Sequence, residues 1–149
     1  MNIAGTIDSI IREKPHAIWS VAPDSTVYDC IQLMSDKNIG AVLVVENGKL
    51  GGVFTERDYT RKIVLKGRSS KTTPVREVLS RPVISVKPED TIEDCMRLMT
   101  EHRIRHLPVM EGDRIVGIVS IGDLVNWIIS AQHVALNQME AYISGQYPG

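Results

Sequence analysis

Residues 18–65 read IWSVAPDSTVYDCIQLMSDKNIGAVLVVENGKLGGVFTERDYTRKIVL, and the same pattern returns at residues 83–130, shifted by 65 positions and without a gap. Fourteen of the 48 aligned pairs are identical, whereas ordinary residue usage would give roughly three. A unit of this length cannot bury its apolar face alone, so the two copies are expected to pack together as one body. Two equivalent units also imply two pseudo-equivalent clefts, and we expect the function there.

Composition places the chain among ordinary globular proteins. Its 149 residues fit one domain, and the 43% hydrophobic and 23% charged content excludes a disordered or membrane-embedded chain. A net charge of −1 gives no general attraction to nucleic acid or anionic lipid. The N-terminus lacks a secretory pattern, and no apolar run reaches the roughly 18 residues of a membrane span. We therefore expect a cytoplasmic protein without nucleic-acid or membrane partners.

Each repeat follows the order strand, helix, strand, strand, helix. The predicted strands are 18–21, 41–45 and 50–54 in the first repeat and 83–86, 107–110 and 115–119 in the second. Thr26-x-x-Asp29 and its counterpart at 91–94 have the spacing of capping boxes, which predicts a helix after each. Further helices are predicted near Glu56 and Ile121. This order predicts a mixed α+β (α/β) fold built from two β-α-β-β-α repeats.

The remaining segments are an N-terminal flank (1–17), a linker (66–82) and a C-terminal extension (131–149). Thr6–Arg12 predicts a short helix, and Val125–Ile143 a long one that packs either on a partner chain or back on its own. The linker is rich in Gly, Ser, Thr and Pro, which predicts an exposed connection. Basic residues crowd in and around the linker, and they form either a solvated surface or a rim that faces an anion. The basic residues are Lys62, Lys66, Arg68, Lys71, Arg76 and Arg81.

The strongest local signal closes each repeat. GVFTERD at 52–58 and GIVSIGD at 117–123 each place a hydroxyl at a strand end and a carboxylate three residues later. One interpretation is structural, because Thr55-x-x-Asp58 and Ser120-x-x-Asp123 fit capping boxes. The other is a nucleotide site, since a helix N-terminus with a hydroxyl attracts phosphate and a carboxylate can accept both hydroxyls of a ribose.

A second signal is the run IRHLPV at 104–109, at the start of a core strand. Arg105 and His106 replace the small residues Gly40 and Ala41 of the first repeat. They are interpreted either as a surface arginine and a half-buried histidine, or as the cations of one cleft that prefers an anionic group.

The duplicated pattern resembles a tandem pair of CBS domains, the module named after cystathionine β-synthase. The resemblance runs from about Ile3 to Ile129 and rests on the Gly-x-x-Thr/Ser-x-x-Asp endings, the Ile-x-x-Leu-Pro-Val run and the linker segment 73–82. It is similar in particular to small stand-alone bacterial pairs. The resemblance implies that the repeats pack through their sheets about a pseudo-twofold axis, that two pairs form a homodimer, and that adenine nucleotides bind between the repeats.

The resemblance also implies which residues line the clefts. The first-cleft candidates are Thr55, Arg57, Asp58, Ile84, Arg105, His106 and Pro108. The second-cleft candidates are Trp19, Ser20, Gly40, Ala41, Ser120, Gly122 and Asp123. The two aspartates would bind ribose, and the arginines make the first cleft the expected phosphate binder. Leu43 stands where the family pattern has proline, which weakens the expected adenine pocket of the second cleft.

These residues predict a non-catalytic regulatory module. AMP is the first candidate ligand, followed by ADP, ATP and NAD(H), and binding would signal energy or redox state to a partner protein that the sequence does not name. The alternative is a structural homodimer without a physiological nucleotide. An enzyme is disfavoured because no nucleophile stands with a base, and Cys30 and Cys95 lie on apolar helical stripes. No catalytic cofactor and no metal are expected.

Overall fold

The computed structural model describes residues 5–13, 18–81 and 83–143. The helices are α1 (Ile7–Glu13), α2 (Val27–Lys37), α3 (Glu56–Asp58), α4 (Ile92–His102) and α5 (Ile121–Ile143). The strands are β1 (Ser20–Val21), β2 (Ala41–Glu46), β3 (Lys49–Thr55), β4 (His106–Glu111) and β5 (Arg114–Ser120). A π-helical segment spans Tyr59–Val64, and a 3₁₀ turn spans Val75–Glu77. The predicted mixed α+β fold is confirmed.

Local chemistry explains the elements of the first repeat. The N–H of Asp29 donates to Oγ1 of Thr26 at 3.1 Å, which caps the start of α2. The helix ends at Asn38, whose φ of 54° is left-handed, a conformation that asparagine tolerates. Asn47 and Gly48 both have positive φ, as a type I′ turn requires, and join β2 to β3 as an antiparallel hairpin. β1 adds a short parallel edge to β2.

The helix predicted near Glu56 begins there but changes pitch after one turn. α3 gives way to the π-helical segment, where the N–H of Leu65 donates to the carbonyl of Thr60 at 3.0 Å. The second repeat differs, since α5 continues as an α-helix from Ile121. Short π-helical insertions are frequent at functional sites.

The strand predicted at 83–86 is reduced to a single parallel bridge between Val86 and Val109. In the first repeat the N–H of Leu43 donates to the carbonyl of Trp19 at 3.3 Å. The equivalent donor in the second repeat would be Pro108, which has no N–H. The leucine-for-proline difference between the repeats therefore accounts for the shorter ladder.

The chain divides into two compact units, and one of them holds α1, α4 and α5. Ile7 and Ile10 bury one face of α1, so the short helix predicted at Thr6–Arg12 is confirmed within one residue. The N–H of Ile7 donates to the carbonyl of Asp90 at 2.9 Å, directly before α4. Within the described residues, no helix is long and apolar enough to cross a membrane.

The other unit holds the first repeat, the linker and residues 108–118 of β4 and β5. The prediction of an exposed linker is wrong for four residues between 73 and 79, although Arg76 and Glu77 are exposed. Thr73 is buried, and Val75, Val78 and Leu79 belong to the core cluster that α2, β2 and β3 form. These three apolar side chains pack this part of the linker against the core, although the surrounding sequence is polar. A Cβ added to Gly52 would lie 2.5 Å from the Leu79 side chain, so a larger residue there would force that side chain to shift.

The segments that precede the two repeats are used in an equivalent way. Residues 73–75 bond to residues 25–27, with Val27 N–H to the Thr73 carbonyl at 2.9 Å. Residues 5–7 bond to residues 90–92 in the same pattern, and there the N–H of Ile92 donates to the Gly5 carbonyl at 3.2 Å. The first helix of each repeat is thus held by the segment that precedes the other repeat, so neither copy is closed on its own.

The sheets of the two repeats pack on each other, as predicted. Ala41, Leu43 and Val53 are buried on one face of β2 and β3, with Ile115 and Ile118 of β5 against them. These five residues all lie in the unit that contains the first repeat. Burial of this face leaves the strand-to-helix junctions at the sheet edge as the places for polar chemistry.

Candidate functional site

Thr55 and Asp58 form a reciprocal capping box where β3 meets α3. The N–H of Asp58 donates to Oγ1 of Thr55 at 3.2 Å, and the N–H of Thr55 donates to Oδ2 of Asp58 at 3.0 Å. The hydroxyl of Thr55 donates to the same Oδ2 at 3.1 Å. The capping interpretation is correct for this motif, and Thr55 at the start of α3 occupies Oδ2 of Asp58.

The other oxygen of Asp58 is held by two groups outside the motif. Oδ1 accepts from the Ser80 hydroxyl at 2.9 Å and from the Lys62 ammonium at 3.0 Å. Lys62 also donates to the carbonyl of Val78 at 2.9 Å, which fixes its position. Asp58 is only 5% exposed, and a carboxylate so buried needs such partners. Thr55, Asp58, Lys62 and Ser80 are called the Asp58 network below.

Ser120 and Asp123 repeat the capping box between β5 and α5. The N–H of Asp123 donates to Oγ of Ser120 at 3.2 Å, and the N–H of Ser120 donates to Oδ2 of Asp123 at 2.8 Å. Asp123 is half-buried rather than buried. The residue equivalent to Lys62 is Trp127, so an ammonium cannot pair with this carboxylate from that position. In the segment that holds α4, the residue equivalent to Ser80 is Arg12, which pairs with Asp8 at 2.8 Å.

The residues expected on the phosphate side differ between the repeats. Arg57 is exposed one residue before Asp58, whereas Gly122 is exposed at the equivalent position in α5. Arg105 is exposed, and its carbonyl accepts from the N–H of Ile121 at 2.9 Å. His106 is half-buried at the start of β4. The carbonyl of Gly40 makes the bond equivalent to that of Arg105, with the Glu56 N–H at 3.1 Å.

The remaining cleft candidates are mostly apolar and lie on or near strands. Trp19 is half-buried, and the Lys37 ammonium lies 4.4 Å from its ring centroid, within cation–π range. Ser20 is exposed on β1, whereas Ala41 is buried in the sheet-to-sheet cluster. Ile84 is half-buried and Pro108 is buried.

Each predicted cleft draws its residues from both units. Arg105 and His106 belong to the unit of α4 and α5, and the other first-cleft candidates to the other unit. In the second cleft, residues 120–123 belong to the unit of α4 and α5, and the remaining candidates belong to the other unit. The structure brings together the hydroxyl and the carboxylate of each motif, and the closure of each cleft by the opposite repeat stays a prediction.

Lys62 and Ser80 belong to the Asp58 network but are not among the site residues predicted from the sequence. Lys62 was assigned to the basic connection, although it follows Asp58 by four residues, a spacing at which opposite charges pair on a helix. Ser80 was assigned to the linker, 22 residues from Asp58. No local pattern predicts that second contact.

The basic connection is a solvated, paired surface. Arg68 pairs with Glu77, and Arg76 pairs with Asp24. The ammonium of Lys71 lies 5.2 Å from the ring centroid of Tyr28. These contacts favour the structural interpretation over an anion-facing rim.

Both cysteines are free, buried thiols, as predicted. Burial raises the pKa of Cys30 to about 11 and that of Cys95 to about 12, with nearby aspartates adding to each shift. A thiol with so high a pKa is a poor nucleophile near neutral pH. In the described part of the chain, no group of three or more His, Cys, Asp or Glu side chains could hold a metal ion.

Comparison with known proteins agrees with this geometry. The CBS domain family matches residues 7–65 and 75–130. The mitochondrial CBS domain-containing protein CBSX3 of Arabidopsis thaliana is 40% identical, over 95% of this chain and 73% of the relative. The CBS domain-containing protein YhcV of Bacillus subtilis is 38% identical, over 86% of this chain and 84% of the relative.

The fold is also that of solved CBS-domain proteins. A structure from Burkholderia ambifaria MC40-6 superposes with a TM-score of 0.83 at 47% identity and covers 86% of this chain and 96% of the other. The two matched segments begin at Ile7 and Val75, the equivalent residues that hold the first helix of the opposite repeat. The chain therefore belongs to the CBS-domain family, as a tandem pair of CBS domains.

Proposed function

We propose that this CBS pair is a non-catalytic regulatory module that binds an adenine nucleotide between its repeats. One observation carries the proposal: both repeats place a hydroxyl and a carboxylate in a reciprocal capping box at a strand-to-helix junction. A ribose diol needs a carboxylate acceptor, and a phosphate needs a helix start with a hydroxyl donor. AMP is the first candidate ligand, followed by ADP, ATP and NAD(H).

The two clefts would use these groups differently. In the first cleft the ribose must compete with Lys62 and Ser80 for Asp58. Arg57, Arg105 and His106 would supply the phosphate contacts that offset this competition. In the second cleft Asp123 would bind ribose without a lysine competitor from position 127, and Gly122 would offer no charge to phosphate. The first cleft is therefore proposed to bind a phosphorylated nucleoside more tightly than a neutral nucleoside.

The regulatory output would follow from that competition. A ribose that binds Asp58 displaces the Lys62 ammonium, which also holds the carbonyl of Val78 in the core segment of the linker. Binding would then loosen one contact of that segment. A ligand shifts a conformation only by its difference in affinity for the two states, and this exchange is where such a difference would arise. The partner that responds is a separate protein, and the module is proposed to act as a cytoplasmic homodimer.

A second candidate function is a structural homodimer without a physiological nucleotide. The observation that favours it is the Asp58 network, in which the chain's own groups occupy both carboxylate oxygens. In that case the first motif is only a buried structural unit.

Thermal unfolding with AMP, ADP, ATP and NADH separates the two candidates. A ligand at 100 times its dissociation constant stabilises the folded state by about 2.7 kcal/mol, so Tm should rise with at least one nucleotide. Asp58→Ala and Asp123→Ala should each lose part of that rise, measured against the variant's own Tm. No rise with any of the four at about 1 mM would contradict nucleotide binding and favour the structural dimer.

A further inference from the structure

The last helix extends well beyond the body that supports it. At the start of α5, Leu124 is fully buried and Ile128 half-buried in the unit of α1 and α4. From residue 129 to residue 140, every side chain is exposed. A helical stretch of this length is marginal in water by itself, because isolated helices shorter than roughly 12–15 residues gain little from propensity alone.

The exposed part of α5 carries an apolar stripe with a regular period. The spacing alternates between four and three residues, which is the a/d seam of a coiled coil. The stripe, called the C-terminal seam, consists of five apolar residues and one glutamine: Val125, Ile129, Gln132, Leu136, Met139 and Ile143. Ile129 and Leu136 are each 58% exposed, and Ile143 is 80% exposed. The face that buries Leu124 lies about one quarter turn away around the helix, so the seam is not the packed face.

Charge restricts what could cover this seam. Between residues 124 and 143, Glu140 is the one Asp, Glu, Lys or Arg. A solvated surface usually carries about 25–35% charged residues, so this stretch is built for an apolar partner. A basic peptide would find a single carboxylate along it, and an anionic membrane surface would find no lysine or arginine.

We propose that the C-terminal seam pairs with the same seam of a second copy, as a parallel two-stranded coiled coil in register. This rests on the homodimer of the proposed function and adds its surface and orientation. Parallel pairing sets Gln132 opposite Gln132, and each amide has both the donor and the acceptor that the other needs. It also sets Glu140 beside Ala135 of the other copy, rather than beside a second Glu140. The a positions Ile129, Leu136 and Ile143 are mostly β-branched, which suits two parallel strands.

Disulfide trapping tests the register directly. Gln132→Cys should cross-link most of the protein under mild oxidation, because d positions of a parallel pair lie close together. Asn137→Cys, on the outer face of the same helix, is the matched control and should cross-link little. The native cysteines are buried and should not interfere. Equal cross-linking of both variants, or none at Gln132→Cys, would overturn the proposal. So would efficient cross-linking between Val125→Cys and Ile143→Cys chains, which requires antiparallel helices.

A second variant keeps the proposal testable without oxidation. Leu136→Lys should shift the mass in light scattering from a dimer toward the 16.6 kDa monomer, whereas Asn137→Lys should leave it unchanged. Circular dichroism checks that both stay folded, as expected for exposed sites. A dimer that survives Leu136→Lys would place the interface elsewhere. Nucleotide binding is measured separately by Tm, so a seam that fails and a nucleotide that fails give different results.

Discussion

Asp58 and Asp123 occupy equivalent positions in the two repeats, yet their surroundings differ. Both close a capping box with a hydroxyl three residues earlier. Asp58 is buried and also holds Lys62 and Ser80, whereas Asp123 is half-buried and the sequence has Trp127 where the first repeat has Lys62. The duplicated motif thus gives the same cap at both sites, whereas the burial of the carboxylate differs between them.

The two repeats also differ in the type of helix that follows the aspartate. It follows Asp58 directly and carries Lys62, whereas the α-helix that follows Asp123 carries Trp127. The change of helix type and the change of residue occur at the same place in the repeat. The two sites have therefore diverged in their helix geometry as well as in their charge.

The largest expected effect is on stability. Asp58→Ala should lower the free energy of unfolding by about 3 kcal/mol, because the N–H and hydroxyl of Thr55, the hydroxyl of Ser80 and the Lys62 ammonium all lose this acceptor. Asp123→Ala should cost less, because that carboxylate is half-buried rather than buried. Urea unfolding measures both, and Asp113→Ala in the exposed β4–β5 turn is the control that should change little. Equal losses at the two sites would break the comparison.

Much of the fold could be predicted because the period of apolar residues and the capping residues are local signals. The hairpin at Asn47–Gly48 and the helix starts at Thr26 and Thr91 are confirmed by positive φ and by cap hydrogen bonds. The linker could not be predicted as core, since Val75 is buried by contacts with residues about 50 positions earlier. The composition of a short segment does not predict contacts with residues so far away in the sequence.

The candidate site was predicted only in part, for a similar reason. The hydroxyl–carboxylate pairs at 55–58 and 120–123 were visible as spacing and are confirmed as capping boxes. Ser80 reaches Asp58 through tertiary packing, which spacing cannot show. The roles of the other cleft residues in binding a nucleotide stay predictions.

A smaller effect on stability is expected from the two cysteines, which are buried at equivalent positions of both repeats. Burial raises the pKa of Cys30 to about 11 and of Cys95 to about 12. Because an unfolded thiol ionises near pH 9 and the folded thiol does not, stability is fully present below that pH and is lost as pH rises toward 11–12. We expect a loss of about 1 kcal/mol per thiol at pH 10. Urea unfolding at pH 8 and pH 10 should show a smaller pH effect in the Cys30→Ala/Cys95→Ala variant, and an unchanged effect would contradict the burial argument.

The most direct test of the central claim is a titration of adenosine into two variants that keep only the first cleft. Adenosine carries ribose and adenine without phosphate, so it reports competition for the Asp58 carboxylate alone. In an Asp123→Ala background, the additional change Lys62→Met should increase adenosine affinity several-fold, about 1 kcal/mol, because one competitor for the carboxylate is removed. The same gain should be absent with Lys66→Met, an exposed lysine of the connection. Equal adenosine affinity with and without Lys62, or no binding in either variant, would contradict the claim that the Asp58 network limits the first cleft.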